Sequence, residues 1–196
     1  MKPRKFFAVS AGFLLAVLWF VAAGEQRNGS PWPKRVLITN DDGIDDPKMK
    51  ALALAFTKVA ETYVIAPLKE CSGTAHHISA FSRRSLAVEP RPLGEKIRAF
   101  GVDGYPADCV LLALRGIMKN SPPDLVISGI NDGPNLGFDW LASGTIGAAR
   151  VAAYWGVPAI AVSGLKEDVT GSLEAVIHYA VQLAQSELVR QLKAGQ

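Results

Sequence analysis

The sequence lacks the features that define several classes of protein. It has two cysteines among 196 residues, too few for a disulfide-dense miniprotein or a zinc ribbon built from cysteines. It contains no Gly-x-Ser-x-Gly elbow of a serine esterase, no Gly-x-x-x-x-Gly-Lys-Ser/Thr loop of an NTPase and no tandem repeat. Polar residues are not in excess, because 49% of the residues are hydrophobic and 20% are charged. This composition excludes a disordered chain.

An excess of one charge sign is also missing from most of the chain. Three of the 21 basic residues and none of the 18 acidic ones lie within residues 1–23, so residues 24–196 carry 18 of each. A neutral body has no surface of the kind that binds the phosphate backbone of nucleic acids. We therefore expect no nucleic-acid partner.

Residues 1–23 have the pattern of an export signal. Basic residues come first, residues 6–23 carry no charge, and small residues end the apolar run. This order is typical of a signal peptide, here cleaved after Ala23 or Gly24. An uncleaved membrane anchor is the alternative, because the run is just long enough to span a bilayer. The pattern predicts a periplasmic or secreted protein, or a membrane-anchored one if the signal is not cleaved.

The remaining chain alternates apolar strands with helices. Residues 24–34 lack periodicity and are predicted to be a linker, and residues 35–196 are predicted to form one folded domain. Strands that are apolar throughout and separated by helices indicate a parallel sheet covered on both faces. We predict an α/β fold with three layers, a Rossmann-like, mostly parallel sheet with helices on both faces. The predicted strands are 36–38, 63–66, 124–128 and 159–163, with short antiparallel strands within 82–102, and the helices start near 47, 106, 143 and 172, the last running to 192.

The loop after the first strand carries two adjacent carboxylates. Ligands of such sheets bind beyond the carboxyl ends of the strands, and Asp41 and Asp42 follow the strand at 36–38. Two neighbouring carboxylates are costly to hold together without a counter-charge, which a hard divalent cation such as Mg²⁺ or Mn²⁺ supplies. The alternative is a plain turn, since Asn-Asp-Asp-Gly is also common turn chemistry.

Two further loops add hydroxyl and amide groups. Ser72 offers an oxygen for a cation or a donor for a phosphate, although a glycine-containing bend with a solvated serine is the alternative. Asn131 and Asn135 lie in a glycine-rich loop whose backbone a ligand can approach closely. These groups all follow strands of the same predicted sheet.

A helix start completes the predicted site. Ser143 is a natural N-cap, and Gly144 and Thr145 open the helix. Free N–H groups at a helix N-terminus favour an anion such as phosphate. Plain capping with tight helix packing would explain Ser143, but not Thr145 or the amide of Asn131. A metal beside a phosphate site is the apparatus of phosphoester hydrolysis.

This arrangement resembles the SurE family of survival-protein nucleotidases over residues 35–164. The residues that carry the resemblance are Leu37–Gly43, Ala66-Pro67, Ser72-Gly73, Pro106–Val110, Pro123–Asn131, Gly133, Asn135–Gly137, Ser143–Thr145 and Ala159–Ser163.

The resemblance implies an activity and a set of ligands. Members of the family are divalent-metal-dependent phosphatases acting on 5′- and 3′-nucleoside monophosphates, and their metal ligands fall on Asp41, Asp42, Ser72 and Asn131. The two aspartates are also the expected catalytic residues, with either Asp41 or Asp42 orienting the attacking water. The expected phosphate-binding residues are Asn135, Ser143, Gly144 and Thr145.

The chain also departs from the family. Typical members continue beyond the last helix with further strands and an arm used in dimerisation, so a homodimer of this chain is expected to be weakened. Members are mostly cytoplasmic, whereas this sequence begins with the export pattern. An exported nucleotide- or phosphate-binding protein without turnover is the alternative function. The sequence leaves open the preferred nucleotide, the native metal and whether Cys71 pairs with Cys109.

Overall fold

The computed structural model describes residues 31–79, 82, 85–164 and 172–192. The predicted signal at 1–23 lies outside these residues, among which no helix is long and apolar enough to cross a membrane. The strands are β1 (Arg35–Thr39), β2 (Glu61–Pro67), β3 (Val88–Arg91), β4 (Ile97–Val102), β5 (Leu125–Asn131) and β6 (Ala159–Ser163). The α-helices are α1 (Pro47–Phe56), α2 (Pro106–Leu112), α3 (Asp139–Ala142), α4 (Gly144–Tyr154), α5 (Ser172–Ala184) and α6 (Glu187–Arg190), and a π-helical turn at Ala113–Ile117 continues α2.

The six strands form one sheet in the order β3–β4–β2–β1–β5–β6. Every neighbouring pair is parallel except β3 with β4. The mostly parallel sheet predicted from the sequence is therefore confirmed. The antiparallel prediction for 82–102 holds for β3 against β4, but β4 also pairs in parallel with β2. Strand β4 therefore joins the parallel part of the sheet to the antiparallel edge strand β3.

Helices cover both faces of the sheet, as predicted. On one face, α1 buries Met49, Leu52 and Phe56 in a core that it shares with α5 and with alternate side chains of β1. On the other face, α2 and α4 bury Val110 and Ala148. Because successive strand side chains point to opposite faces, each central strand contributes to both cores.

The last predicted helix is interrupted. Helix α5 ends at Ala184, and Ser186 caps α6, where its hydroxyl oxygen accepts a hydrogen bond from the Val189 N–H at 3.3 Å. The interruption changes which residues face inwards. A single helix running to residue 192 would place Leu183 and Leu188 on its apolar face. In the structure these two residues are 41% and 69% exposed, whereas Ala184 and Val189 are buried.

Candidate active site

The site lies where β1 and β5 end side by side. The last residues paired between these two strands are Thr39 and Ser128, so the loop with Asp41 and the strand end with Asn131 emerge at the same edge of the sheet. The N-terminus of α4 lies against the same loop, because the Thr145 N–H donates a hydrogen bond to Asp41 Oδ2 at 3.0 Å. Sheet topology thus brings together residues separated by about half of the sequence.

The turn after β1 is closed by Asn40. Its side-chain nitrogen donates to the Gly43 carbonyl oxygen at 3.0 Å, and its Oδ1 accepts from the Gly43 N–H at 3.2 Å. Gly43 has a φ of +104°, which favours glycine. The turn interpretation of this loop is therefore right for Asn40 and Gly43. The carboxylates of Asp41 and Asp42 take no part in the hydrogen bonds that close the turn.

The Asp41 carboxylate is fixed at the start of α4. It is 2% exposed, and besides the N–H bond its Oδ1 accepts a short hydrogen bond from the Thr145 hydroxyl. Gly144 makes this approach possible, since a Cβ at that position would lie 2.8 Å from the Asp41 Cβ. A carboxylate at a helix N-terminus is stabilised by the helix dipole. The anion that meets this helix end in the structure is therefore Asp41.

The Asp42 carboxylate is in the opposite situation. It is half-buried, and within the described part of the chain its buried Oδ2 has no hydrogen-bond partner. Burial, and then the neighbouring charge of Asp41, raise the pKa of Asp42 to about 6, while the Lys48 ammonium opposes the rise. A carboxylate oxygen that is buried without a donor is costly, and a bound cation would remove that cost.

The remaining groups of the α4 terminus act first as caps. Ser143 is 6% exposed, and its Oγ accepts from the Ile146 N–H at 3.1 Å. Thr145 is fully buried and bonds to Asp41. Asp41 Oδ2 accepts from the Thr145 N–H and Ser143 Oγ from the Ile146 N–H, so neither oxygen accepts from the Gly144 N–H. The capping interpretation is thus right for Ser143, and binding of phosphate by this terminus stays a prediction.

The loop with Ser72 is fastened to the site through the backbone. The Cys71 N–H donates to the Asp41 carbonyl oxygen at 2.7 Å, so Ser72 follows directly on a residue bonded to Asp41. The Ser72 side chain is exposed. Further along, the loop rests on α4, where a Cβ on Gly147 would lie 2.1 Å from the Ala75 carbonyl oxygen.

The two predicted amides differ in what they contact. The Asn131 side-chain nitrogen donates to the carbonyl oxygens of Asp132 and Gly133 at 3.1 and 3.0 Å. These bonds do not use its amide oxygen, and the role of that oxygen as a metal ligand stays a prediction. The Asn135 side-chain nitrogen donates to Ser163 Oγ at 2.6 Å and so braces the loop against the end of β6. The role of Asn135 in phosphate binding stays a prediction.

Sequence reasoning missed the lysine beside the site. Lys48 Nζ lies 3.0 Å from Asp46 Oδ1 and 3.0 Å from Asp132 Oδ1. Lys48, Asp132 and Asp42 are among the residues that line a cleft of about 490 Å³. The Asp46-Pro47 start of α1 was predictable as an N-cap, but nothing in the sequence links Lys48 to a residue of the distant β5 loop.

The donor set has the chemistry of a hard-cation site. Among the described residues, no cluster of three or more His, Cys, Asp or Glu side chains could hold a metal. The predicted set uses two carboxylates, one hydroxyl and one amide, so it does not depend on such a cluster. Mg²⁺ and Mn²⁺ prefer these oxygen donors, and the unpartnered Oδ2 of Asp42 fits a cation.

The two cysteines are free thiols in the structure. Cys71 is half-buried, and burial raises its pKa to about 11. Burial raises the pKa of Cys109, which is fully buried, well above its ordinary value. Because the thiolate is the reactive form, these upward pKa shifts disfavour either thiol as a nucleophile at neutral pH.

Similar proteins carry nucleotidase names. The chain is 47% identical to 5′-nucleotidase SurE of Roseobacter denitrificans over 133 residues, which are 66% of this chain and 49% of that protein. It is 49% identical to the protein of the same name from Carboxydothermus hydrogenoformans over 131 residues, with the same two coverages. The chain thus spans about half the length of these curated relatives.

A solved structure and a family model agree with these matches. The crystal structure of the SurE protein from Aquifex aeolicus aligns with a TM-score of 0.67 and 33% identity, covering 80% of this chain and 60% of that one. The model of the family described as survival protein SurE matches residues 36–195. That range contains the whole described sheet from Val36 onwards and every residue of the candidate site. The chain belongs to the SurE family.

Proposed function

We propose that this chain is a divalent-metal-dependent phosphomonoesterase that hydrolyses nucleoside 5′-monophosphates, and also 3′-monophosphates, to nucleoside and phosphate. One observation carries the proposal: adjacent carboxylates lie beside a helix N-terminus, with Asp41 fixed by Thr145 and Asp42 left with a buried, unpartnered oxygen. The substrate class is taken from the similar proteins named 5′-nucleotidase SurE.

Four residues would hold the cation, which we propose to be a single Mg²⁺ or Mn²⁺. They are Asp41, Asp42, Ser72 and Asn131, whose backbones converge at the carboxyl ends of β1, β2 and β5. Such a cation acts as a Lewis acid toward a phosphoryl oxygen and makes water a stronger nucleophile at neutral pH.

The chain's own groups would orient the reactants. Asp42 would accept a hydrogen bond from the attacking water, because its buried Oδ2 has no hydrogen-bond partner among the described residues. The Ser143 hydroxyl and the Gly144 N–H would donate to the phosphoryl oxygens, where negative charge builds up in the transition state. Thr145 contributes through Asp41, which it holds against the helix.

The N-terminal sequence supports a place of action outside the cytoplasm. The basic start, the uncharged run to residue 23 and the small residues that end this run are those of an export signal. We therefore propose that hydrolysis takes place in the periplasm or after secretion.

Phosphate release from a panel of nucleoside monophosphates tests the proposal. The protein is assayed with Mn²⁺, with Mg²⁺ and with a chelator, beside Asp42→Asn and a matched control, Asp45→Asn, at an exposed position of the same loop. We expect metal-dependent release that Asp42→Asn abolishes and Asp45→Asn retains. Asp41 is a poorer choice of variant, because it also anchors α4. A folded protein that binds a nucleotide without releasing phosphate would instead be the binding protein named above.

A further inference from the structure

One lysine connects the two loops that carry the predicted metal ligands. Lys48 Nζ lies at 3.0 Å from a carboxylate oxygen of both Asp46 and Asp132. Asp46 begins α1, four residues after Asp42, and Asp132 directly follows Asn131. The contact therefore spans from the loop after β1 to the loop after β5.

The α1 end of this bridge is rigid. The Asp46 side chain is 4% exposed, and its two oxygens accept hydrogen bonds from the N–H groups of Lys48 and Met49, each at 3.2 Å. Asp132 is the exposed end, at 56%. Lys48 therefore links the buried cap residue Asp46 to the exposed Asp132 in the loop after β5.

The orientation of the Asn131 side chain depends on this loop, whereas its backbone is the end of β5 and pairs with β6. The Asn131 side-chain nitrogen is bonded to the carbonyl oxygens of Asp132 and Gly133, so its amide group moves with the segment that Lys48 holds. A displacement of Asp132 would carry the amide oxygen of Asn131 with it. The aspartates at 41 and 42 belong to the other side of the bridge.

We propose that Lys48 is a positioning residue, whose ion pairs with Asp46 and Asp132 fix the spacing between the Asn131 amide and the carboxylates of Asp41 and Asp42. This inference rests on the proposed function, because those three residues are ligands only if the site binds a cation. Partners that orient metal ligands typically contribute about 10- to 100-fold to metal affinity.

Lys48 has a second effect on a cation, of the opposite sign. Its positive charge repels a cation at Asp42, so removal of the charge alone would strengthen metal binding. Loss of the bridge would weaken binding, because Asn131 would no longer be held in place. The direction of the change in affinity therefore separates a positioning role from a simple charge effect.

Calorimetric titration of the full chain with Mn²⁺ measures that direction. We expect Lys48→Met, which keeps the apolar stem, to weaken Mn²⁺ binding by about tenfold or more. Lys48→Arg keeps the charge and should bind closer to wild type. Lys50→Met, at an exposed position of the same helix, is the matched control and should bind as wild type does. Unchanged or tighter binding by Lys48→Met would overturn the proposal.

Hydrogen–deuterium exchange of the metal-free protein provides a readout that does not need the metal. We expect faster exchange in residues 131–137 in Lys48→Met and in Asp132→Asn, which breaks one arm of the bridge and leaves the α1 cap intact. Exchange equal to wild type in both variants would refute the bridge. If wild type neither binds Mn²⁺ nor releases phosphate, the proposed function fails, and the exchange data alone decide whether Lys48 holds the loop.

Discussion

Replacing Asp42 with asparagine should stabilise the metal-free protein while it removes the proposed activity. The structure gives Asp42 a buried oxygen without a partner and places it next to a second carboxylate. Asparagine has nearly the same shape and carries no charge. Its amide nitrogen can also donate a hydrogen bond to a neighbouring carboxylate such as Asp41.

The size of the effect follows from the pKa of Asp42. It rises from an ordinary 3.8 to about 6 in the folded chain, and one pKa unit corresponds to about 1.4 kcal/mol. The upper bound is therefore about 3 kcal/mol, which solvent screening of a half-exposed carboxylate reduces to about 1 kcal/mol. Because the folded state holds the proton more tightly than the unfolded state, stability falls as the pH rises from about 4 to about 6.

Urea unfolding in the presence of a chelator measures this difference. At pH 7.5 we expect Asp42→Asn to be more stable than wild type by about 1 kcal/mol, and near pH 4 we expect the gain to disappear. Mn²⁺ at 100 times its dissociation constant should then stabilise wild type by about 2.7 kcal/mol and leave the variant unchanged. A variant less stable than wild type at pH 7.5, or a gain independent of pH, would refute the reasoning. Asp45→Asn should show neither effect.

Two further predictions concern buried groups of the site. Thr145→Val removes the hydroxyl that bonds to Asp41 and leaves a buried carboxylate oxygen without that donor. We therefore expect urea unfolding to show a free energy of unfolding that is lower by about 1–3 kcal/mol. Thr145→Ser should recover most of this stability, and a Val variant as stable as wild type would contradict the contact. In the native protein both thiols should react slowly with a disulfide reagent at pH 7.5, because burial raises the pKa values of Cys71 and Cys109. After unfolding in urea both should react rapidly. Rapid labelling of the native protein would contradict this prediction.

Much of the fold was predictable because its signals are local. Apolar runs without alternation identified the buried strands. The helix start predicted near residue 47 is also right, and there Asp46 accepts two first-turn N–H bonds. Short elements were not predictable in this way. The four-residue helix α3 has no buried residue, so it has no apolar periodicity. The cap at Ser186 divides a segment whose apolar pattern predicts one continuous helix to residue 192.

The site was predictable in its location but not in its pairings. A strand end placed Asp41, and a helix start placed Thr145, at one edge of the sheet. No pattern shows that these two residues bond to each other rather than to a ligand. The partnership of Lys48 with Asp132 joins residues 84 positions apart in the chain. Such contacts depend on loop conformation and side-chain reach, which residue type and spacing do not determine.

The contact between Gly147 and Ala75 has a consequence for how this site could change in evolution. The helix and the loop touch backbone to backbone, so their separation is set by the absence of a side chain at position 147. Any larger residue would push away the segment that begins at Cys71, which is bonded to Asp41. Ser72 would move with it. Variation at position 147 is therefore a route by which the metal preference or substrate range could shift while every residue proposed to touch the metal or the substrate stays the same.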